Sequence, residues 1–265
     1  MKKYISLFLA ALMLLSLLAG CGKKSDGGDG TRTLVLRNTA GLSTNDPHAT
    51  TNTHDYTVFE NIYEGLYDLN EATGGYDLRL AEKVEANDDA TEYTVTLKQG
   101  VKFHNGETMT ADDVVFSYAH AQKDAHMGSY CRPLDHVEKV DDYTVKIVMN
   151  QPFSPIGHML HKVKIMSKKG VEELGNDFGK VPNKVGTGPY MWDENNYNPL
   201  SSWSAVAFED YHRGKAKIEK ITWNVIADDT SAITALQNGE LDYMVVPISY
   251  WEDIKASNKF NCVEK

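Results

Sequence analysis

Tyr93-Thr94-Val95-Thr96-Leu97-Lys98-Gln99-Gly100-Val101-Lys102-Phe103-His104-Asn105-Gly106 is followed closely by Thr110-Ala111-Asp112-Asp113-Val114-Val115-Phe116-Ser117-Tyr118. Tyr93, Val95 and Leu97 alternate with polar residues, the period of a strand with one buried face. Gly100 turns the chain, Val101 and Phe103 continue the alternation, and His104-Asn105-Gly106 makes a second turn. The pattern then changes to helical spacing, with Val114, Val115, Tyr118 and Ala121 on one face. Thr110 can cap this helix with Asp113 three residues on, a short capping box, and acids in the first turn suit the helix dipole.

The same reading extends in both directions. Leu34-Val35-Leu36 reads as a short strand, and 55–66 as a helix carrying Val58, Phe59, Ile62, Tyr63 and Leu66, with Gly65 near its end. Tyr143, Val145, Ile147 and Met149 alternate as another strand, stopped by Gln151-Pro152. Gly186-Thr187-Gly188-Pro189 is a tight turn before the apolar Tyr190-Met191-Trp192. Ile221, Trp223 and Val225 predict a strand, Asp228-Asp229-Thr230 a helix start, Gly239 its C-terminal cap, and 241–246 a returning strand. Strands alternating with helices indicate an α/β chain, with the stretch from about 68 to 184 more meander-like and suited to a separate subdomain.

At the N-terminus Lys2 and Lys3 precede an apolar run from Ile5 to Leu18, closed by Leu18-Ala19-Gly20-Cys21. A basic start, a short apolar run and small residues at the cut describe an export signal, too short to span a bilayer comfortably. An uncleaved anchor helix with an incidental cysteine is the plainer alternative. Residues 22–30 are polar and glycine-rich and behave as a flexible tether. The formal charge is −10, and loss of Lys2 and Lys3 with the leader makes the balance more acidic still. Such a body argues against nucleic acid and against electrostatic adhesion to anionic lipid. Beyond Cys21 only Cys131 and Cys262 remain; they can pair in an oxidising compartment or stand as two buried thiols.

No residue pattern predicts catalysis. Asp112 and Asp113 are adjacent on a helix, so they point apart, and capping explains them. Gly186-Thr187-Gly188 lacks the Lys-Ser/Thr of a phosphate loop, and Pro189 removes an amide that a phosphate would use. His158 and His161 can share a helical face, but no acid or cysteine lies near them in sequence to complete a metal site. Neither a metal nor another cofactor is expected.

Two resemblances sharpen this reading. Leu18-Ala19-Gly20-Cys21 looks like the lipobox of bacterial lipoproteins, in which the cysteine sulfur receives a diacylglycerol and the leader is removed. Cys21 is then the lipidation site of a palmitate-bearing lipoprotein. The opening stretch, together with Leu80-Ala81-Glu82-Lys83-Val84, resembles the signature region of family 5 solute-binding proteins of peptide ABC importers, the dipeptide/oligopeptide/nickel class. Asp46-Pro47-His48, Glu64-Gly65-Leu66, Gly186-Thr187-Gly188-Pro189-Tyr190 and Ala235-Leu236-Gln237-Asn238-Gly239-Glu240-Leu241-Asp242 are similar to the same family, in its order.

The family resemblance implies a periplasmic-binding-protein-like (type II, cluster C) first lobe with an inserted small α+β subdomain. The leader occupies 1–21, the tether 22–30, the first lobe 31–64 and 185–265, and the inserted subdomain 65–184. It also implies a non-enzymatic receptor on the extracytoplasmic face of the membrane, with a peptide ligand and the importer's permease subunits as partners. A nickel chelate, haem, oligosaccharide or signalling peptide is the alternative cargo. Carried over residue by residue, the segment after Asp46-Pro47-His48 runs along the ligand, which selects Thr51, Asn52 and Thr53, and an aromatic position beside the ligand falls on Tyr130. The plainer readings are a loop that caps the following helix, and ordinary packing of a tyrosine. Family members run to about twice this length, so the second lobe is expected to be missing. Half a cleft should expose apolar surface and bind ligand weakly.

Overall fold

The computed structural model describes residues 32–264, so the leader, Cys21 and the tether lie outside the described residues. A first sheet has the order β1 (Thr33–Asn38), β10 (Lys220–Val225), β9 (Ser202–Ala207), β8 (Tyr190–Asn198), with β1 and β10 parallel and the other pairs antiparallel. Its buried face carries Trp192, Trp203 and Trp223, with Trp203 and Trp223 paired across the β9–β10 ladder. Helix α1 (Thr53–Ile62) packs on β8 and adds Val58, Phe59 and Ile62 to this core.

The second sheet, β4 (Ala81–Ala86), β5 (Glu92–Leu97), β7 (Thr144–Met149) and β6 (Leu134–Asp141), is antiparallel throughout. The alternation read in the sequence faces inward here: Tyr93, Val95, Leu97, Val145, Ile147 and Met149 are buried. Helix α2 (Ala111–Lys123) covers them with Val114, Tyr118 and Ala121. At its start Asp113 accepts hydrogen bonds from the Thr110 amide (2.9 Å) and hydroxyl (3.2 Å), and its other oxygen takes the Lys168 amide at 2.9 Å. Asp112 is exposed and paired with Lys139, so the two acids do part. A hairpin, β2 (Tyr67–Asn70) and β3 (Gly75–Leu78), packs against α3 (Gly157–Lys162). Helix α4 (Lys168–Leu174) follows, and α5 (Asp229–Asn238) and α6 (Ile248–Ala256) build a small third core around Leu236, Leu241 and Ile254. Asp228 caps α5 through the Ser231 amide, and Gly239 closes it at φ 76°.

Three expected elements differ. The first helix ends at Ile62 rather than Leu66, because the Ile62 carbonyl is taken by the Gly188 amide (3.0 Å) and Tyr63 turns extended. Val101 and Phe103 are buried but form no strand: the amides of His104 and Asn105 go to Gly186 and Lys184. The returning strand at 241–246 is reduced to one parallel bridge, Leu36 to Tyr243, because the Asp242 side chain takes the Val35 amide (2.7 Å) in place of a backbone carbonyl. Cys131 and Cys262 are free thiols; burial pushes the Cys131 thiol up to about 12. Tyr243, Val245, Ile248 and Val263 stand exposed. No helix among the described residues is long and apolar enough to cross a membrane.

The chain crosses between the two large cores at 63–66 and returns at 165–166, and the crossings are tied together. Gly65 bridges Lys164, and the Ile165 amide donates to the Glu64 carbonyl at 2.8 Å. Glu64 itself is buried. Its carboxylate accepts from the hydroxyls of Tyr211 (2.8 Å) and Thr187 (3.0 Å), contacts His212 Nε2 at 2.9 Å and pairs with Arg79 at 3.4 Å. The glycines here permit close approach: a Cβ on Gly65 would lie 2.6 Å from the carbonyl oxygens of Leu160 and His161, and one on Gly186 2.2 Å from that of Ile62. Gly186→Ala is therefore expected to lower stability by about 1–3 kcal/mol, since backbone must move, and urea unfolding midpoints measure it.

His104 locks the same seam. Its Nε2 lies 3.0 Å from the Gly188 carbonyl, and Phe208 packs edge-on at 5.0 Å. Burial pushes the His104 pKa down to about 4, and the same cause lowers His48 to about 4. Both rings stay neutral in the fold while the unfolded chain protonates near 6.5. Their contribution is therefore complete above about pH 6.5 and is lost as pH falls toward 4, about 3 kcal/mol each at most. His120 acts oppositely: its bond to Asp46 raises its pKa, a stabilisation present at low pH and lost as pH rises through the raised value. His104→Gln, which can still donate to Gly188, should flatten the acid limb of stability against pH.

Candidate ligand-binding site

The loop before α1 is tied down almost residue by residue. Thr44 and Asn45 bond the Gly179 carbonyl, and the Asn45 carbonyl accepts from the Tyr63 hydroxyl at 2.8 Å. Asp46 accepts the His48 amide on one oxygen (2.9 Å) and meets His120 Nε2 on the other (2.8 Å). Burial pushes the Asp46 carboxyl up, but the hydrogen bond and charge of His120 outweigh it and hold the group below its usual range. His48 is fully buried, with Nε2 accepting the Lys164 amide at 3.1 Å. Asp55, also buried, gathers the Ser43 amide and hydroxyl and the Thr50 hydroxyl (2.7 Å).

This bracing leaves Thr51, Asn52 and Thr53 exposed at its tip. Asn52 occupies the N-cap of α1 without a side-chain cap; its amide reaches the Ser43 hydroxyl at 3.5 Å instead. The side-chain capping that a Thr/Asn-rich loop suggests is thus absent at Asn52. Thr51 makes no hydrogen bond to any described residue, so its amide and carbonyl are open to a partner.

Tyr130 follows a 3₁₀ turn, 127–129, and is half-buried. It meets His158 edge-on, with ring centroids 5.2 Å apart. Tyr56 links both predicted regions: its hydroxyl donates to the Thr50 carbonyl at 3.2 Å, while Lys162 Nζ lies 4.4 Å from its ring centre. Tyr56, His158 and Lys162 were not selectable from sequence. His158 and Lys162 lie four apart on α3, but no local pattern says that the first meets Tyr130 and the second Tyr56, about 100 positions earlier.

Among the described residues two groups of potential metal ligands form, each with ligand atoms within 4.8 Å: Asp46, His48 and His120, and Glu60, Asp68 and His161. The second brings to His161 two acids that are distant in sequence, and it does not include His158. The protein already satisfies these carboxylates. Lys164 pairs with Glu60 at 2.9 Å and Arg79 with Asp68, which lowers their attraction for a cation. In the first group, acceptance of the Lys164 amide by His48 Nε2 puts the ring proton of the neutral imidazole on Nδ1, the nitrogen a metal would need. A separate surface recess lined by Asn105, Leu174, Pro182, Val185 and Glu194 includes none of the residues selected from sequence.

The profile of the bacterial extracellular solute-binding proteins, family 5, middle region, matches residues 76–264. Glutathione-binding protein GsiB of Salmonella paratyphi A is 32% identical over 261 residues, which are 95% of this chain and 48% of that protein. Among solved structures, the oligopeptide-binding protein AppA of Bacillus subtilis, in complex with a nonapeptide, superimposes with a TM-score of 0.77 at 27% identity. That match covers 86% of this chain and 46% of AppA. MoaA from A. tumefaciens R10, in complex with mannopinic acid, gives a TM-score of 0.74 at 31% identity, covering 80% of this chain and 44% of that one. The chain thus spans about half the length of the relatives it matches, and its fold is the α/β fold of the periplasmic binding proteins. From signature stretch to tertiary fold, the observations agree: the chain belongs to the bacterial extracellular solute-binding proteins of family 5.

Proposed function

We propose that this chain is the first lobe and inserted subdomain of a lipid-anchored substrate-binding protein that captures peptides outside the cytoplasm and delivers them to an ABC importer. The observation that carries this reading is family membership, with relatives named for glutathione and oligopeptide binding. For the partition into 31–64 with 185–265 and an insert at 65–184, the crossing at 63–66 supports the start of the insert, while the return crossing lies at 165–166, ahead of its proposed end. Thr51, Asn52 and Thr53 line one side of the ligand cleft, with Tyr130 near it. An enclosed peptide needs partners for its own amides and carbonyls, and the unpaired backbone of Thr51 supplies the complementary groups. Closure of a second lobe over the ligand is a hinge motion biased by contacts to both sides, and a closed receptor is the form a permease recognises. The protein performs no chemistry of its own.

Membrane attachment comes from Cys21 and the 22–30 tether. Metabolic labelling with palmitate is expected to mark the wild-type chain; Cys21→Ser should abolish the label and release the protein from membranes. Retention of both in that variant would refute the anchor.

The likeness to a mannopinic acid complex favours, as a second reading, the same fold with a non-peptide cargo. Equilibrium dialysis separates the two. With half a cleft, peptide dissociation constants on the order of 1 mM are expected, and Thr51→Pro, which removes the free amide, should weaken them about tenfold without changing the circular dichroism spectrum. Saturable binding of mannopinic acid with none of peptides would establish the second reading.

A further inference from the structure

Four side chains gather at the edge of the proposed cleft. Lys162 Nζ sits 4.4 Å from the centre of the Tyr56 ring, Tyr130 meets His158 at 5.2 Å and 87°, and His158 stands one helical turn before Lys162 on α3. Apart from Tyr56, whose hydroxyl donates to the Thr50 carbonyl, their polar tips have no hydrogen-bond partner among the described residues. Lys162 has no carboxylate within 4.0 Å among the described residues, although Lys164, two residues on, is almost completely buried and firmly paired with Glu60. The Tyr130 hydroxyl and both ring nitrogens of His158 have no hydrogen-bond partner among the described residues.

An ammonium, a phenol and an imidazole can all donate hydrogen bonds, and the ammonium, which lies over the ring face of Tyr56, carries the positive charge. The acids in the neighbourhood are committed elsewhere: Glu60 to Lys164, and one Asp124 oxygen to the His126 (2.7 Å) and Met127 (3.0 Å) amides. Burial lowers the Lys162 pKa and the charge of Glu60 offsets that only in part, so an incoming anion relieves a remaining cost. Tyr56, which carries Lys162, also holds the Thr50 carbonyl, one residue from the free backbone of Thr51. The donors therefore lie beside the segment proposed to run along the peptide.

We propose that Lys162 and His158, with the Tyr130 hydroxyl, receive a carboxylate of the bound peptide and so make this lobe select for anionic ligands. The proposal rests on the peptide-binding reading and names residues and a ligand charge that the reading leaves open. The test is equilibrium dialysis of the full chain against four probes: glutathione, its diethyl ester, a tripeptide of neutral side chains, and that tripeptide's C-terminal amide. Wild-type protein should bind each free acid about tenfold or more tighter than its neutral partner. Lys162→Met should reduce the preference to less than about twofold, and Lys162→Arg, which keeps the charge, should retain most of it. His158→Gln should fall between them. Circular dichroism of each variant separates lost recognition from lost folding. Equal binding of acid and neutral forms by wild-type protein would overturn the proposal and leave peptide capture intact. Binding of none of the four at about 10 mM would remove both.

Discussion

A single buried carboxylate holds the two sheets in their relation to one another. Glu64 lies where the chain leaves the tryptophan-rich core, and its oxygens collect Thr187 and the Tyr211–His212 pair from one side and Arg79 from the other. Taking an ionised carboxylate out of water is expensive, so it is tolerated only with nearly every acceptor site filled. Removal of any one partner leaves the charge under-compensated, which makes the arrangement close to all-or-none. The segments that supply those partners are thereby fixed to one another far more tightly than apolar packing alone requires. The seam glycines serve the same end, bringing backbone against backbone where a side chain would hold it apart.

Much of the fold was legible because local chemistry and tertiary burial agree. The alternations at Tyr93–Leu97 and Val145–Met149 place the same residues inward that the sheet buries, and the expected capping box of Thr110 and Asp113 forms at the helix start. Where the reading failed, a distant partner had intervened. The Ile62 carbonyl is claimed by Gly188 and the Val35 amide by the Asp242 side chain, and neither is visible to periodicity. Leu241 and Met244 in the expected returning strand are buried, but the ladder pairing is not formed.

The candidate site divides along the same line. Thr51 to Thr53 could be reached from sequence because a contiguous motif, Asp46-Pro47-His48, points to the loop that carries them. The bracing that holds this loop comes from Gly179, His120 and Lys164, scattered over the chain, so its rigidity was invisible. The donor group around Tyr56 is more hidden still. It is assembled from 56, 130, 158 and 162, each ordinary where it stands, and only the approach of α3 to α1 makes them neighbours.

The parallel pairing of β1 with β10 bears on the order in which the protein forms. The second sheet draws all its strands from residues 81–149 and can assemble as soon as that stretch exists. The first strand has no such early partner: Val35 and Asp242, which bond at its edge, are 207 residues apart. The segment made first is therefore among the last to be paired, because a loop of that size must close before the ladder forms. During synthesis it remains an unpaired edge, open to pairing with other chains. Arg32 and Arg37, which flank the apolar Leu34-Val35-Leu36, are the kind of charge that discourages such pairing until β10 arrives.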